Sequence, residues 1–155
     1  MRRKDREIGR DDALSIVDQC EWATIAMNDG NEPYCIPVSI ARDRSSIYFH
    51  CAVAGRKTDI LSRNPRVCVS CVGYTNRLPD EFSTEFESAV VTGCARPVEN
   101  DEEKIHALRL ICQRHTPENM AAFDSAVARS LSRTAVWNIS IDSVTGKRKR
   151  INPKK

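Results

Sequence analysis

The chain has 155 residues, of which 41% are hydrophobic and 29% charged, with a formal net charge of +3. That is enough for one domain with its own core and too little for two of ordinary size. The charge is too small to select nucleic acid or a membrane surface by bulk electrostatics, and no apolar run approaches the roughly 20 residues of a membrane-spanning helix.

Residues 1–9 are basic and irregular. Asp11 or Asp12 caps a short helix to about Cys20, with Ala13, Ile16, Val17 and Cys20 on one face at helical spacing. Glu21 to Asn28 alternates Ala23, Ile25 and Met27 against Trp22, Thr24 and Ala26, the period of a strand. Asp29-Gly30 signals a hairpin, and a second strand follows from about Glu32 to Ala41. Pro33 and Pro37 cannot donate to a ladder, so this strand is expected at an edge or with a bulge. Asp43-Arg44-Ser45 turns the chain into a third strand, Ser46 to Ala52. Its Ile47, Phe49 and Cys51 face one way, and Tyr48 and His50 the other.

Val53 to Gly55 leads into a helix of about nine residues that Asn64-Pro65 ends. A fourth strand spans Arg66 to about Tyr74, followed by a polar loop over Thr75 to Ser83. The fifth strand is long, Thr84 to about Val98, and Gly93 marks a bulge that bends it. Asn100 with Glu103 starts a helix to about Arg114, and Thr116-Pro117 starts another to about Ser130. A sixth strand covers Thr134 to Asp142. Tight turns joining the first three strands make them antiparallel, and six strands with one long and bent suggest a small antiparallel barrel with helices at its rim. The domain is expected to span 1–155, with 1–9 and 147–155 as flexible basic tails.

The seven cysteines, with no export signal at the charged N-terminus, read as reduced thiols in a cytoplasmic protein. Cys68 and Cys71 have C-x-x-C spacing but lie on a strand, where positions three apart face opposite ways, and no second pair completes a zinc site. The chemistry concentrates in Ile47 to Lys57. There a strand breaks at Gly55 and a helix starts with Arg56 and Lys57. Backbone N–H groups, the helix dipole and two cations converge there as a phosphate site. His50, one turn of strand earlier, would reach the rest of a phosphorylated ligand. The same residues also suit a solvated basic helix start beside a core-lining histidine.

Six segments carry a resemblance in order along the chain: Met1-Arg-Arg-Lys-Asp-Arg-Glu-Ile, Glu32-Pro-Tyr-Cys-Ile-Pro-Val, Tyr48-Phe-His-Cys-Ala-Val-Ala-Gly-Arg-Lys, Asn64-Pro-Arg-Val-Cys, Glu87-Ser-Ala-Val-Val-Thr-Gly and Val144-Thr-Gly-Lys. Together they resemble the FMN-binding split-barrel superfamily that includes pyridoxamine 5′-phosphate oxidases. Within it the chain looks most like the nitroimidazole-resistance (Nim-type) proteins. The resemblance implies a mainly β fold with helices, a six-stranded antiparallel split β-barrel, forming a homodimer with two FMN molecules at the subunit interface.

Carried over by position, Arg56 and Lys57 match the pair that holds the FMN phosphate. Phe49, His50 and Cys51 match the strand along the ribityl chain and ring, and Pro37, Val38 and Ser39 the strand at the polar edge of the isoalloxazine. Ser88 matches a position that reaches FMN from the other subunit, where oxidases commonly have glutamine. His50 also matches the histidine discussed as an active-site residue in Nim-type proteins; protonated, it would stabilise an anionic reduced flavin. Read from the residues alone, Phe49 and Cys51 are equally barrel core, Ser88 a satisfied strand serine, and Trp137 either core or a stacking surface.

Arg150-Ile151-Asn152-Pro153 only loosely echoes the Arg-Leu-x-Pro ending of pyridoxamine phosphate oxidases, and Cys51 stands where Nim-type relatives often have serine. The implied activity is reduction of a small planar acceptor such as a nitroaromatic, with His50 at the substrate. The competing expectation is a flavin-binding carrier or sensor without turnover, and a third is haem binding on the same fold.

Overall fold

A computed structural model describes residues 2–151. Helix α1 spans Arg10–Gln19 and buries Ala13, Ile16 and Val17. Gly9 caps it without a side-chain bond, and Asp11 and Asp12 sit in the first turn, where a carboxylate complements the helix dipole. Ahead of it, a 3-10 turn at Lys4–Arg6 leads to a two-residue strand β1, Glu7–Ile8.

Strands β2 (Ala23–Asp29) and β3 (Glu32–Val38) form the expected hairpin, with Gly30 at φ 66 in its turn. β3 pairs only with β2 and is an edge strand, as its two prolines require. A short β4 (Ala41–Asp43) turns back through Arg44, at φ 52, into β5 (Ser46–Ala52). Helix α2 (Arg56–Arg63) follows, burying Thr58, Ile60 and Leu61. β6 (Arg66–Leu78) and β7 (Ser83–Pro97) make a long hairpin. Asn100 Oδ1 accepts from the Glu103 N–H at 3.0 Å to cap α3, Asp101–His115. After a 3-10 segment at Pro117–Ala122 and α4 at Phe123–Ser130, β8 runs from Thr134 to Lys149.

The strand order is β3-β2-β6-β7-β8-β5-β4, with β1 added on β8, and every pairing is antiparallel. The sequence reading needs four corrections. Eight strands replace six, because β1 and β4 are too short to show a period. Thr75 to Leu78 is strand and not loop; these residues pair with Phe86 to Ser83 after a register shift following Val72. That part of the hairpin has solvent on both faces, so it shows no apolar alternation.

The last strand continues past Asp142 to Lys149, and Lys147 pairs with both Glu7 and Ser88. Residues 7–8 and 147–149 are therefore ladder and not tail, with Arg148 paired to Glu87 at 2.7 Å and to Asp12 of α1 at 3.4 Å; Lys154 and Lys155 lie outside the described residues. Finally, β3 and β5 are not neighbours, and tight connections did not make all three early strands a meander.

The reason is the closure of the barrel. Only Ser39 and Ile40 separate β3 from β4, and three Cα steps span at most about 11 Å. The two free edges of the sheet must therefore curl to within that distance, yet they share no ladder. The barrel is closed by covalent chain and open in hydrogen bonds, which makes it a split barrel. The end of α3 holds this seam: Arg114 Nη1 donates to the Ile40 carbonyl at 3.0 Å and His115 Nε2 donates to the same oxygen at 2.9 Å.

The interior packs Ile25, Ile47, Phe49, Val69, Val91 and Ile139 against α1 and α2. Trp137, 4% exposed, belongs to this core and is not a stacking surface. A second cluster joins Tyr48 and Val136, on the other side of the wall, to Ala107, Leu108 and Ile111 of α3 and to Phe123.

Candidate functional site

β5 alternates as the sequence predicts. Phe49 is fully buried in the barrel, and His50 projects to the solvent-exposed face. Removing a phenylalanine side chain from water contributes about 2–3 kcal/mol, so Phe49 is committed to packing and offers a ligand only its backbone. Cys51 is half-buried and packs against the same core.

Past Ala52 the chain bends through Val53 and Ala54 to Gly55, whose φ of 147 and ψ of 169 suit only glycine comfortably. No side chain caps α2. The first helical bond is Asp59 N–H to the Gly55 carbonyl at 3.1 Å, and the Thr58 hydroxyl donates to that carbonyl at 2.6 Å. The N–H groups of Arg56, Lys57 and Thr58 therefore have no helical acceptor and point out of the helix start, the arrangement that binds phosphates.

The two cations behave differently. Arg56 lies against the β2–β3 hairpin. Its Nε is 3.3 Å from Asp29, its Nη2 is 3.4 Å from Glu32, and its guanidinium stacks 4.6 Å from the Tyr34 ring centroid. Arg63 also pairs with Asp29, at 2.7 Å. These are exposed pairs of the kind that contribute little. Lys57 makes no ion pair among the described residues and is close enough to His50 and Cys51 to act on both.

His50 is held below the ordinary imidazole range, first by partial desolvation, then by the Lys57 ammonium and by His115. Near neutral pH it is uncharged in the free protein, so the fixed positive charge here is Lys57. Cys51 is pushed up by burial, against the pull of Lys57, and is a protonated thiol.

His115 lies at the end of α3, about 65 positions from His50 in sequence but close in space, and it was not among the sequence candidates. Its bond to Ile40 links His50 and Lys57 to the seam that Pro37, Val38 and Ser39 enter. Pro37 and Ser39 are exposed and Val38 half-buried, on the sheet edge that has no strand partner.

Ser88 is elsewhere. It pairs with Val72 and Lys147 on the outer face of β7 and lines a concavity of about 390 Å³ with Val90, Thr145, Gly146 and Lys147. One chain therefore brings His50, Cys51 and Lys57 together beside His115 and the seam that follows Pro37–Ser39, holds Arg56 against the tip of the β2–β3 hairpin, and leaves Ser88 on a separate wall. Among the described residues no His, Cys, Asp and Glu cluster could hold a metal ion.

Comparison with known proteins bears on this arrangement. The pyridoxamine 5′-phosphate oxidase family model matches residues 9–148. No curated protein matches the chain. Among solved structures, the chain is similar to a candidate 5-nitroimidazole antibiotic resistance protein from Bacteroides thetaiotaomicron, at 28% identity and a TM-score of 0.77, covering 91% of this chain and 85% of that one. It shares the fold of the flavocytochrome Anf3 of Azotobacter vinelandii, at 20% identity and TM-score 0.79, covering 95% and 70%. It likewise shares the fold of an FAD- and haem-binding protein of Mycobacterium smegmatis, at 19% identity and TM-score 0.81, covering 97% and 76%.

Proposed function

The chain belongs to the pyridoxamine 5′-phosphate oxidase family of split barrels, and from that premise we propose that it is an FMN-binding oxidoreductase, working as a homodimer, that reduces a small planar acceptor such as a nitroaromatic. The observation that carries this reading is the uncapped start of α2, released by Gly55, with Lys57, which makes no ion pair among the described residues, between it and His50. A phosphate needs several fixed donors and a mobile cation, and this corner of the fold supplies them. The residues therefore fit FMN.

The N–H groups of Arg56, Lys57 and Thr58 would hold its phosphate, with Lys57 as the first cation and Arg56 available by exchange of its loose carboxylate pairs. Phe49 backbone, Cys51 and the open edge at Pro37, Val38 and Ser39 would line the rest, with Ser88 contributed by the second subunit. Bound FMN supplies two-electron transfer between a reduced donor and the acceptor. The protein's own part is to bind, to exclude water with the barrel wall, and to place charge. Lys57 favours negative charge beside it, and a neutral His50 can accept or donate one hydrogen bond to a substrate without adding charge.

Freshly purified protein should show a flavin band near ~450 nm that NAD(P)H or another donor bleaches and an acceptor restores. A flavin that stays oxidised with every donor would make the protein a carrier or sensor, and a Soret band in place of the flavin band would replace FMN by haem. Arg56→Ala with Lys57→Ala should abolish flavin retention in a folded protein, and His50→Ala should keep the flavin and lose turnover. Full flavin occupancy in the double variant would refute the phosphate assignment.

A further inference from the structure

The two basic runs of the sequence, at residues 2–6 and 147–150, lie at opposite ends of the chain, and the fold brings them together. β1 pairs with β8, Glu7 opposite Lys147 and Ile8 opposite Gly146. There the ladder stops. The chain ahead of Glu7 curls into the 3-10 turn at Lys4–Arg6, while β8 runs on to Lys149, so the two part where a longer β1 would have lain. A concavity of about 440 Å³ opens between them. Arg3 and Arg6 line it from one side, and Arg148, Lys149 and Arg150 from β8.

The arginines are held from the side away from the cleft. Glu87, whose side chain is 14% exposed, accepts from Arg148 Nε at 2.7 Å and from Arg150 Nη2 at 2.9 Å. Arg148 Nη2 also lies 3.4 Å from Asp12 of α1. Arg150 stacks 3.8 Å from the Tyr74 ring centroid. On the other wall, Asp5 accepts from both Nε and Nη2 of Arg3 and lies 4.0 Å from Arg6 Nε. Asp5 and Glu7 are the acids of the lining itself, and Glu87 and Asp12 stand outside it. Glu87 and Asp5 thus each hold two guanidiniums with one negative charge. Lys149 meets the Ser83 hydroxyl and makes no ion pair among the described residues.

A guanidinium has five N–H donors, and these contacts use at most two of each. The rest have no protein acceptor among the described residues. Cations gathered around one concavity repel each other, and an anion that enters relieves the repulsion. Side chains already fixed by carboxylates and a ring lose little freedom when it binds.

We infer that this cleft is a second anion site, which takes the phosphate or diphosphate of a small phosphorylated molecule between Arg3 and Arg6 on one wall and Arg148 and Arg150 on the other. The guanidinium fork matches phosphate oxygens two at a time, which a halide or a single carboxylate cannot use on both walls. A nucleic-acid backbone needs cations spread along a surface, whereas these converge on one hollow. The cleft shares no residue with the start of α2 and does not depend on what cofactor binds there.

The test is calorimetric titration of the full-length protein with pyrophosphate and with inorganic phosphate. Wild type and the Arg56→Ala, Lys57→Ala variant, which lacks the cations of the α2 start, should both bind pyrophosphate at a saturable site and melt at a higher temperature in its presence. Arg3→Gln with Arg6→Gln should weaken that binding about tenfold, and so should Arg148→Gln with Arg150→Gln. The first pair lies in an exposed turn and leaves Glu87 with both of its partners, so its result stands even if the second pair unfolds the protein. Absence of saturable binding to the wild type would overturn the inference. Binding that survives both arginine pairs and disappears with Arg56 and Lys57 would overturn it too, while leaving the proposed cofactor site intact. Displacement of pyrophosphate by random-sequence duplex DNA, with an affinity that falls steeply as salt rises, would give the cleft to nucleic acid instead.

Discussion

At the scale of single residues, the protonation of His50 carries the clearest consequence. Desolvation, Lys57 and His115 all disfavour its charged form in the fold. In the unfolded chain the imidazole titrates near ~6.5. Between that value and the lower folded one, the unfolded state binds more protons than the native state. Stability from a neutral His50 is therefore fully present above about pH 6.5 and falls as pH drops through the folded value. Urea unfolding followed from about pH 7.5 to 5 should show a smaller loss in His50→Ala than in the wild type. Equal slopes would mean that His50 is not crowded by Lys57 and His115 as the geometry has it. The neighbouring cations show how far a sequence motif reaches. Arg56-Lys57 was legible as a pair, but nothing in it distinguishes the arginine held by Asp29 and Glu32 from the lysine that has no ion-pair partner among the described residues. That difference depends on a hairpin folded against the helix start.

Among the elements, the register shift between β7 and β8 is the most exacting, with Asp142 of β8 as the extra residue. The ladder to β8 shifts register between Thr92 and Gly93. A Cβ at Gly93 would stand 2.2 Å from the Ser140 carbonyl oxygen and 2.9 Å from Ile139 Cγ2, so the two backbones meet only over glycine. Gly93→Ala should cost more than ~2 kcal/mol, since neither a carbonyl in a ladder nor a packed isoleucine can yield easily. Gly30→Ala, at φ 66 with open space around it, carries only the left-handed backbone penalty of about 1–2 kcal/mol. Urea midpoints of the two variants should rank in that order, and a reversed order would place the strain elsewhere.

The irregularity at Gly93, the edge character of β3 and the cap at Asn100 were readable because glycine, proline and asparagine report local backbone demands, although the extra residue of the bulge, Asp142, lies in β8 and not in the strand that carries Gly93. The split barrel itself came from six ordered motifs, not from periodicity. The strand ends were not readable. Thr75 to Leu78 pair through backbone bonds while their side chains face water, and Ser143 to Lys149 set only Val144 against the core among polar and charged residues, so composition carries little trace of the ladder. His115 was not readable either, since the chain returns to His50 only after β6, β7 and α3 are folded.

For the whole molecule, the uncovered part of the sheet decides how the site is completed. α3 and α4 cover the outer face around Tyr48 and Val136, but no described element covers the outer face of β6, β7 and the second half of β8. The centre of that face presents Ser70, Val72, Ser88, Val90, Thr92 and Thr145, with Val72 54% and Val90 40% exposed and Lys147 beside Ser88. Charged side chains are the usual occupants of an exposed strand face, and here they stand towards its ends, with Lys147 opposite Ser88, while the centre around Val72 and Val90 is apolar or small, which suits a surface that packs on its own copy. Ser88 and its concavity lie on this face, so a second subunit docked here would bring Ser88 to the seam corner that one chain leaves unfinished. Val90→Glu buries an unpaired charge at the centre of such a contact and leaves the barrel interior untouched. Sedimentation should show a monomer, and the ~450 nm absorbance should fall with it if the cofactor needs both subunits. A variant that stays dimeric would move the interface to another face. A folded monomer with full flavin would show that one chain holds the cofactor alone and that Ser88 is only a strand serine.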